Sequence, residues 1–311
     1  MHIPDGFLDA KTAAVTGALA AGGLAVAIRQ VNRTLPRSKV PLMGLAAAFV
    51  FAAQMLNFPV AGGTSGHLLG GVLAAVLLGP AAGAVVIAAV LILQCFLFSD
   101  GGVLALGANI FNMAVVGTAG GYGVYSFVRK SLKGLHGQIT AVLFAAWCST
   151  VFASLACAGE LAFSGTAAAG VVFPAMAGVH LLIGLGEALI TALVVLAIRR
   201  ARPELIDPEH QQPGAVRSEV LALGFIIALG LALFVAPFAS SWPDGLEKVA
   251  GTLGFEEHAK TLMHSLIPDY QMPGVSSEGL ATALAGLVGT LIMFGLAYVV
   301  GWLLVRREGG P

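Results

Sequence analysis

Apolar residues do not alternate with polar ones along this chain. They run in blocks of about 20, separated by short polar stretches. A helix needs about that length to cross the hydrocarbon of a bilayer. Nine helical spans are predicted, at about 12–29, 41–57, 67–79, 81–98, 104–128, 138–162, 176–198, 218–240 and 279–304. The third is short, and Pro80 parts it from the fourth. Proline ends or kinks a helix, so 67–98 reads as two elements or as one broken element. No internal repeat is visible, nor the inverted symmetry of many secondary transporters.

Composition agrees with this pattern. Of 311 residues, 58% are hydrophobic and only 10% charged, too few charges to coat a soluble chain of this length. The net charge is zero, so nothing points to nucleic acid. Many of the 41 glycines lie inside the apolar blocks, where small residues let membrane helices approach closely. The three cysteines, Cys95, Cys148 and Cys157, also lie in apolar stretches and read as small buried hydrophobes. The first residues lack a basic region, so no signal peptide is expected and the N-terminus reads as mature.

Lys and Arg fix the expected orientation. With the N-terminus outside, thirteen of the sixteen basic residues fall in cytoplasmic segments, and only Lys11, Lys248 and Lys260 lie outside. The positive-inside rule prefers this arrangement. Met1 and the loops 58–66, 163–175 and 241–278 then share the extracytoplasmic side, and the C-terminus is cytoplasmic. Residues 199–217 are charged and carry Pro203, Pro208 and Pro213, the mark of a boundary. The expected fold is therefore an all-α polytopic membrane protein. A seven-helix module at 1–200 is joined by a cytoplasmic linker, 201–217, to a two-helix hairpin module at 218–311 with an outer loop at about 241–278.

The N-terminus carries candidate chemistry. The Met1 amine and the His2 backbone nitrogen can close a five-membered ring on a metal ion. The same backbone nitrogen and the His2 imidazole can close a six-membered one. These three nitrogens lie in one plane, and a fourth would complete a square-planar site suited to Ni(II) or Cu(II). The amide must lose its proton, so binding should weaken as pH falls. His67, at the end of Ala61-Gly62-Gly63-Thr64-Ser65-Gly66, returns to the membrane on the same side as Met1 and is the expected fourth donor. Pro4-Asp5-Gly6 is a turn signature that could fold the arm back onto the bundle. The ordinary alternative is an exposed terminal histidine.

Met1-His2-Ile3-Pro4-Asp5-Gly6-Phe7-Leu8 resembles the start of the NikM/CbiM family, the substrate-binding (S) components of energy-coupling-factor (ECF) nickel and cobalt transporters. Gly62 to His67, Gly107-Ala108-Asn109 through Asn112-Met113-Ala114, and His180 through Glu187-Ala188-Leu189 are similar too. Pro243-Asp244-Gly245-Leu246-Glu247, Gly254-Phe255 and Ile267-Pro268-Asp269-Tyr270 resemble the small PDGLE-type, NikN-like component of the same systems. The chain thus looks like a fusion of the two. The resemblance implies a metal held by Met1, His2 and His67, uptake across the cytoplasmic (inner) membrane, and no catalysis by this chain. Pro4-Asp5 is similar to the nickel branch, whereas the cobalt branch tends to Met-Glu, so Ni(II) is the expected substrate and Co(II) the alternative. It also implies a NikQ/CbiQ-like coupling subunit and a NikO/CbiO-like ATPase subunit. The chain itself has no Gly-x-x-x-x-Gly-Lys loop for ATP phosphates.

Other polar residues carry open readings. Asn109 and Asn112, three apart, could orient His67 or line the metal path, or else glue helices together. Glue is the preferred reading for Glu187. His180 could approach the site or be a hydrogen-bonded core histidine. His258 and His264 fall in the outer loop, and His136 and His210 are cytoplasmic. Small residues at four-residue spacing, Ala14, Ala18 and Gly22 and then Ala48 and Ala52, read first as internal packing faces and second as a docking face for the coupling subunit. A reading from another class is a rhomboid-like intramembrane serine protease, with Ser65 in Gly63-Thr64-Ser65-Gly66 as nucleophile and His180 as base.

Overall fold

The computed structural model describes residues 1–206 and 218–305. Most of the expected linker, with His210 and Arg217, and also Arg306 and Arg307, lie outside the described residues. The chain is helical nearly throughout. In order come α1 (Ala10–Thr34), α2 (Val40–Gln54), a small hairpin of β1 (Phe58–Val60) and β2 (Thr64–Gly66), α3 (Gly71–Leu78) and α4 (Pro80–Phe98). A continuous helical run follows, made of α5 (Leu106–Asn109), a π-helical stretch (Ile110–Gly117) and α6 (Thr118–Ser131). Then come α7 (Gly134–Phe163), α8 (Ala169–Ala201), α9 (Ser218–Gly230), α10 (Gly245–Leu253) and α11 (Glu278–Leu304).

Among the described residues, six helical segments are long and apolar enough to cross a bilayer: α1, α4, α7, α8, Ser218–Phe238 and α11. Phe163 and Phe238 stand 87% and 85% exposed, and Phe127 and Phe234 both 73%. Such a surface suits lipid rather than water. This is a multi-pass helical membrane protein.

The third expected span differs from its prediction. Its helix, α3, has only 8 residues, about 12 Å, too short to cross alone. Before it the strand β2 ends at Gly66, residues 67–70 form no regular element, and Gly70 enters the helix at φ +75°. Gly79, at φ +89°, and Pro80 at the first position of α4 turn the chain out of α3. A broken span exposes backbone groups that lipid cannot satisfy. Glu187, near the middle of α8, answers this. Its carboxylate accepts from Leu69 N at 2.6 Å and Gly70 N at 3.1 Å. The Gln54 amide donates to Leu69 O at 2.8 Å. Glu187 thus faces the N-terminal end of α3, where the helix dipole also favours a negative charge.

The arm-bearing end gathers the N-terminal residues, the β-hairpin and the 240–270 segment. The hairpin turns at Ala61-Gly62-Gly63, with Gly62 and Gly63 at φ +89° and +71°, a region that glycine enters without steric cost. The opposite end gathers the basic helix termini, including Arg33, Arg129, Lys130, Arg199 and Arg200. There Asn32 donates to Leu304 O at 2.6 Å.

α9 and α11 pack against α2, which is buried along almost its whole length. The approach is close: a Cβ on Gly289 would stand 2.2 Å from the Phe51 ring, and one on Gly44 3.1 Å from Phe294 O. Of the two small-residue stripes, Ala48 and Ala52 are internal as expected. Ala14, Ala18 and Gly22 are not. They lie on the outward face of α1, whose buried face carries Thr16, Ala20, Ala27 and Val31.

Candidate metal site

The first eight residues are threaded into the bundle. Ile3 is fully buried. Its N–H donates to Asn109 Oδ1 at 2.8 Å, and its carbonyl accepts from Asn109 Nδ2 at 3.1 Å and from Gly102 N at 2.9 Å. The Asp5 carboxylate accepts from Val103 N at 3.0 Å and Leu104 N at 2.8 Å. On its other side the arm meets the second half of the chain. Lys260 N donates to Asp5 O at 2.8 Å, and Phe7 packs edge-on against Phe255, ring centroids 5.1 Å apart. Gly6 sits at φ +94°, where a Cβ would stand 2.0 Å from His258 O. Only glycine fits there.

This threading buries the terminal amine, 3.1 Å from His67 Nε2. The His67 Nδ1 lies 3.1 Å from Leu68 O. A backbone carbonyl at Nδ1 favours the tautomer protonated there, which leaves the Nε2 lone pair facing the amine. The His2 ring stacks on the His67 ring, centroids 5.2 Å apart. Its Nδ1 stands 3.1 Å from Asp100 Oδ1 and its Nε2 3.2 Å from Gln94 Oε1. The Met1 amine also forms an ion pair with Asp244, the N-cap of α10.

The electrostatics match a dry pocket. Burial lowers the His67 imidazole to about 3, helped by the charges of the terminal amine and His2. Burial also lowers His2, against the opposing pull of Asp100. Burial alone would raise Asp244, but the Met1 ammonium and then His67 outweigh it and hold the carboxyl well below its usual range. Both imidazoles are therefore neutral near pH 7, the form that binds metal. Among the described residues no three His, Cys, Asp or Glu side chains form a ready ligand set.

Of the residues singled out in the sequence, Met1, His2 and His67 come together, and Asn109 holds the arm beside them. Asn112 faces elsewhere: it donates to Glu160 Oε2 at 2.7 Å, within the π-helical stretch that breaks the regular spacing from Asn109. Glu187 supports the broken span. His180 is buried, with Nδ1 2.8 Å from Met176 O, and its Nε2 lies against Gly245 with no hydrogen-bond partner among the described residues. Of the hairpin residues, Gly66 packs on Ile183, and Gly62 and Gly63 form the turn. Among the described residues, Ser65 and His180 share no hydrogen bond of the kind the protease reading needs. Ser65 Oγ donates to Trp242 O at 2.7 Å, and Thr64 Oγ1 to Pro243 O at 3.1 Å. Ser65 is thus bonded away from His180. His264 lines an adjoining cleft of about 390 Å³ with Cys95 and Asp269, which shares Pro4, Ser99 and Gly101 with the cleft at His2. His136 is exposed at the far end.

Sequence reasoning did not single out Asp244, Asp100 or Gln94. All three contact the arm from remote parts of the chain. A cleft of about 410 Å³ opens onto this group, lined by His2, His67, Gln54, Asp100, Asp244 and Tyr270 among others. The signal for Asp244 was its place in Pro243-Asp244-Gly245-Leu246-Glu247, read there only as part of a resemblance.

The chain is a multi-pass helical membrane protein whose N-terminal arm is held inside the bundle, among imidazoles and carboxylates. The chain belongs to the family described as the cobalt uptake substrate-specific transmembrane region, whose model matches residues 2–205. A PDGLE domain matches residues 218–306. The chain is 32% identical to the fused nickel transport protein NikMN of Rhodobacter capsulatus, with both chains covered in full. It is 38% identical, over 96% of its length, to a protein of Archaeoglobus fulgidus also named for fused nickel transport, of which 98% is covered. A solved transition metal transporter, 36% identical, superposes with a TM-score of 0.59 over 68% of this chain and 97% of its own. Family members named for cobalt are similar too, such as the CbiM of Geobacter sulfurreducens, 32% identical over 82% of this chain and 79% of its own.

Proposed function

We propose that this chain captures Ni(II), with Co(II) as the second substrate, on the extracytoplasmic face of the cytoplasmic membrane. The ion is held by the Met1 amine, the backbone nitrogen and imidazole of His2, and His67. One observation carries the reading: the buried amine stands 3.1 Å from His67 Nε2. Two nitrogens bound side by side to one ion, each at about 2 Å, stand about 2.8 Å apart. The pair therefore needs little movement to take a metal. The His2 ring, stacked on His67, swings its Nδ1 from Asp100 to join them.

The hairpin 58–66 and the leading turn of α10 close over this group. The second module, 218–311, holds the arm in place through Lys260 and Phe255. The names of the relatives, nickel and cobalt transport proteins, support the cargo. Energy for transport comes from a separate coupling subunit and ATPase of the ECF type. The outward small-residue stripe of α1, Ala14, Ala18 and Gly22, is the face offered to the coupling subunit.

The test is nickel binding to the purified chain beginning at Met1, beside a variant with one residue added ahead of it. Binding near one ion per chain, abolished by the extension, is expected. Equal binding by both proteins removes the amine from the ligand set and sinks the reading.

A further inference from the structure

Asp244 reaches the site from the far half of the chain and is unusually well held. Its Oδ1 accepts from Leu246 N at 2.7 Å and Glu247 N at 2.9 Å. Its backbone N–H donates to Glu247 Oε2 at 2.8 Å, completing a capping box at the start of α10. Ser65 N and Thr64 Oγ1 both donate to Pro243 O, at 2.8 and 3.1 Å, pinning the preceding residue to the hairpin. These contacts fix the carboxylate and leave Oδ2 pointing at the Met1 amine, with which it pairs. The amine in turn touches His67 Nε2. The Met1 amine is thus in direct contact with both a carboxylate oxygen and an imidazole nitrogen.

We infer that Asp244 is a metal-specificity residue whose Oδ2 is the oxygen ligand of bound Co(II), beside the nitrogens that also hold Ni(II). This rests on the metal site proposed above. A planar set of four nitrogens satisfies Ni(II), whose preference is square-planar. Co(II) has no such preference and gains from a further donor off the plane. The carboxylate also supplies negative charge. A divalent ion bound through one deprotonated amide leaves a net positive charge in a buried pocket, where an uncompensated charge is costly. Asp244 offsets that charge without moving far, because it already offsets the charge of the ammonium in the metal-free protein.

The experiment is competition binding of NiCl₂ and CoCl₂ to the full chain beginning at Met1, as wild type, Asp244→Asn and Glu278→Gln. Asparagine is as good a helix cap as aspartate, so α10 keeps its start while the charge and the anionic ligand are lost. Glu278→Gln removes an exposed carboxylate at the start of α11, outside the site. Asp244→Asn is expected to lower Co(II) affinity at least tenfold more than Ni(II) affinity and to change the visible absorption of the Co(II) protein. Glu278→Gln should leave both the Co(II)-to-Ni(II) ratio and the spectrum in place. An unchanged ratio in Asp244→Asn, an equal fall for both metals, or the same effect from Glu278→Gln overturns the inference. Melting of the metal-free variants shows whether an equal fall comes from lost structure, an outcome that also denies Asp244 the ligand role. The site reading fails separately, if wild type and its N-terminally extended form bind nickel equally.

Discussion

Asn109 holds Ile3 by both edges of its backbone, accepting from its N–H at 2.8 Å and donating to its carbonyl at 3.1 Å. One side chain on the helical run thereby sets the depth of the whole arm, two residues from the amine. In Asn109→Ala the Ile3 N–H is left buried without a partner, while Gly102 still serves the carbonyl. An orphaned buried donor costs about 2 kcal/mol, or roughly a 30-fold loss of nickel affinity. Calorimetric titration checks this, and unchanged affinity would show that Asn109 does not position the arm.

Glu187 should matter to folding more than to metal. In Glu187→Ala two buried N–H groups, Leu69 and Gly70, lose their acceptor, at a cost of about 4 kcal/mol. Glu187→Gln keeps one acceptor oxygen and should lose roughly half of that. Melting of the detergent-solubilised proteins should rank wild type above Gln above Ala. A metal-path role would instead leave melting alone and reduce transport.

Gly6→Ala tests the seam between the arm and the second module. The new Cβ meets His258 O at 2.0 Å in a backbone conformation that alanine avoids. The 256–260 segment should lift off the arm, and limited proteolysis should cut there sooner than in wild type. Deleting residues 218–311 should likewise reduce uptake. Full uptake by the truncated chain would deny the second module a role in seating the arm.

Stability of the metal-free protein should fall on acidification. Exposed on unfolding, the His67 imidazole takes a proton near its ordinary value of 6.5, but buried it does so only at about 3. Between these pH values the unfolded state binds more protons, so stability drops as pH falls through that window and levels off below it. His2, also lowered by burial, acts in the same direction. Melting temperatures from pH 7.5 to 4.5 should decline, and less steeply in His67→Gln. Equal slopes would mean that His67 is not buried as described.

Ser65→Ala removes one hydrogen bond to Trp242 O, worth about 1 kcal/mol. Nickel affinity should stay within about fivefold of wild type. His2→Ala should cost roughly 100-fold or more, since it removes a proposed ligand. The reverse order would revive a nucleophilic role for Ser65.

Much of this protein is legible in its sequence because its solvent is legible there. A lipid-facing helix must be apolar for its full length, so blocks of about 20 residues reveal spans directly. The N-terminal amine and His2 are chelating neighbours by covalent connection alone, and no fold is needed to bring them together. The broken third span was half legible: Pro80 announced the break, but its shortness had no visible support until Glu187, 118 residues away from Leu69, was seen beneath it.

What only the tertiary structure decided are the partners that arrive from far along the chain. Asp244 lies 243 residues from Met1, Gln94 92 from His2, and Asn109 106 from Ile3. Period and composition report which way a residue faces, not which remote residue it meets. Asn109 and Asn112 show the limit plainly: a π-helical stretch lies between their roles, and one holds the arm while the other holds Glu160. Ala14, Ala18 and Gly22 show it again, since a stripe of small residues looks the same whether a helix of this chain or another surface covers it. The sequence by itself determined the membrane, the helices and the adjacency of the terminal amine to His2. The packing of those helices determined which carboxylates and amides stand around the N-terminal amine.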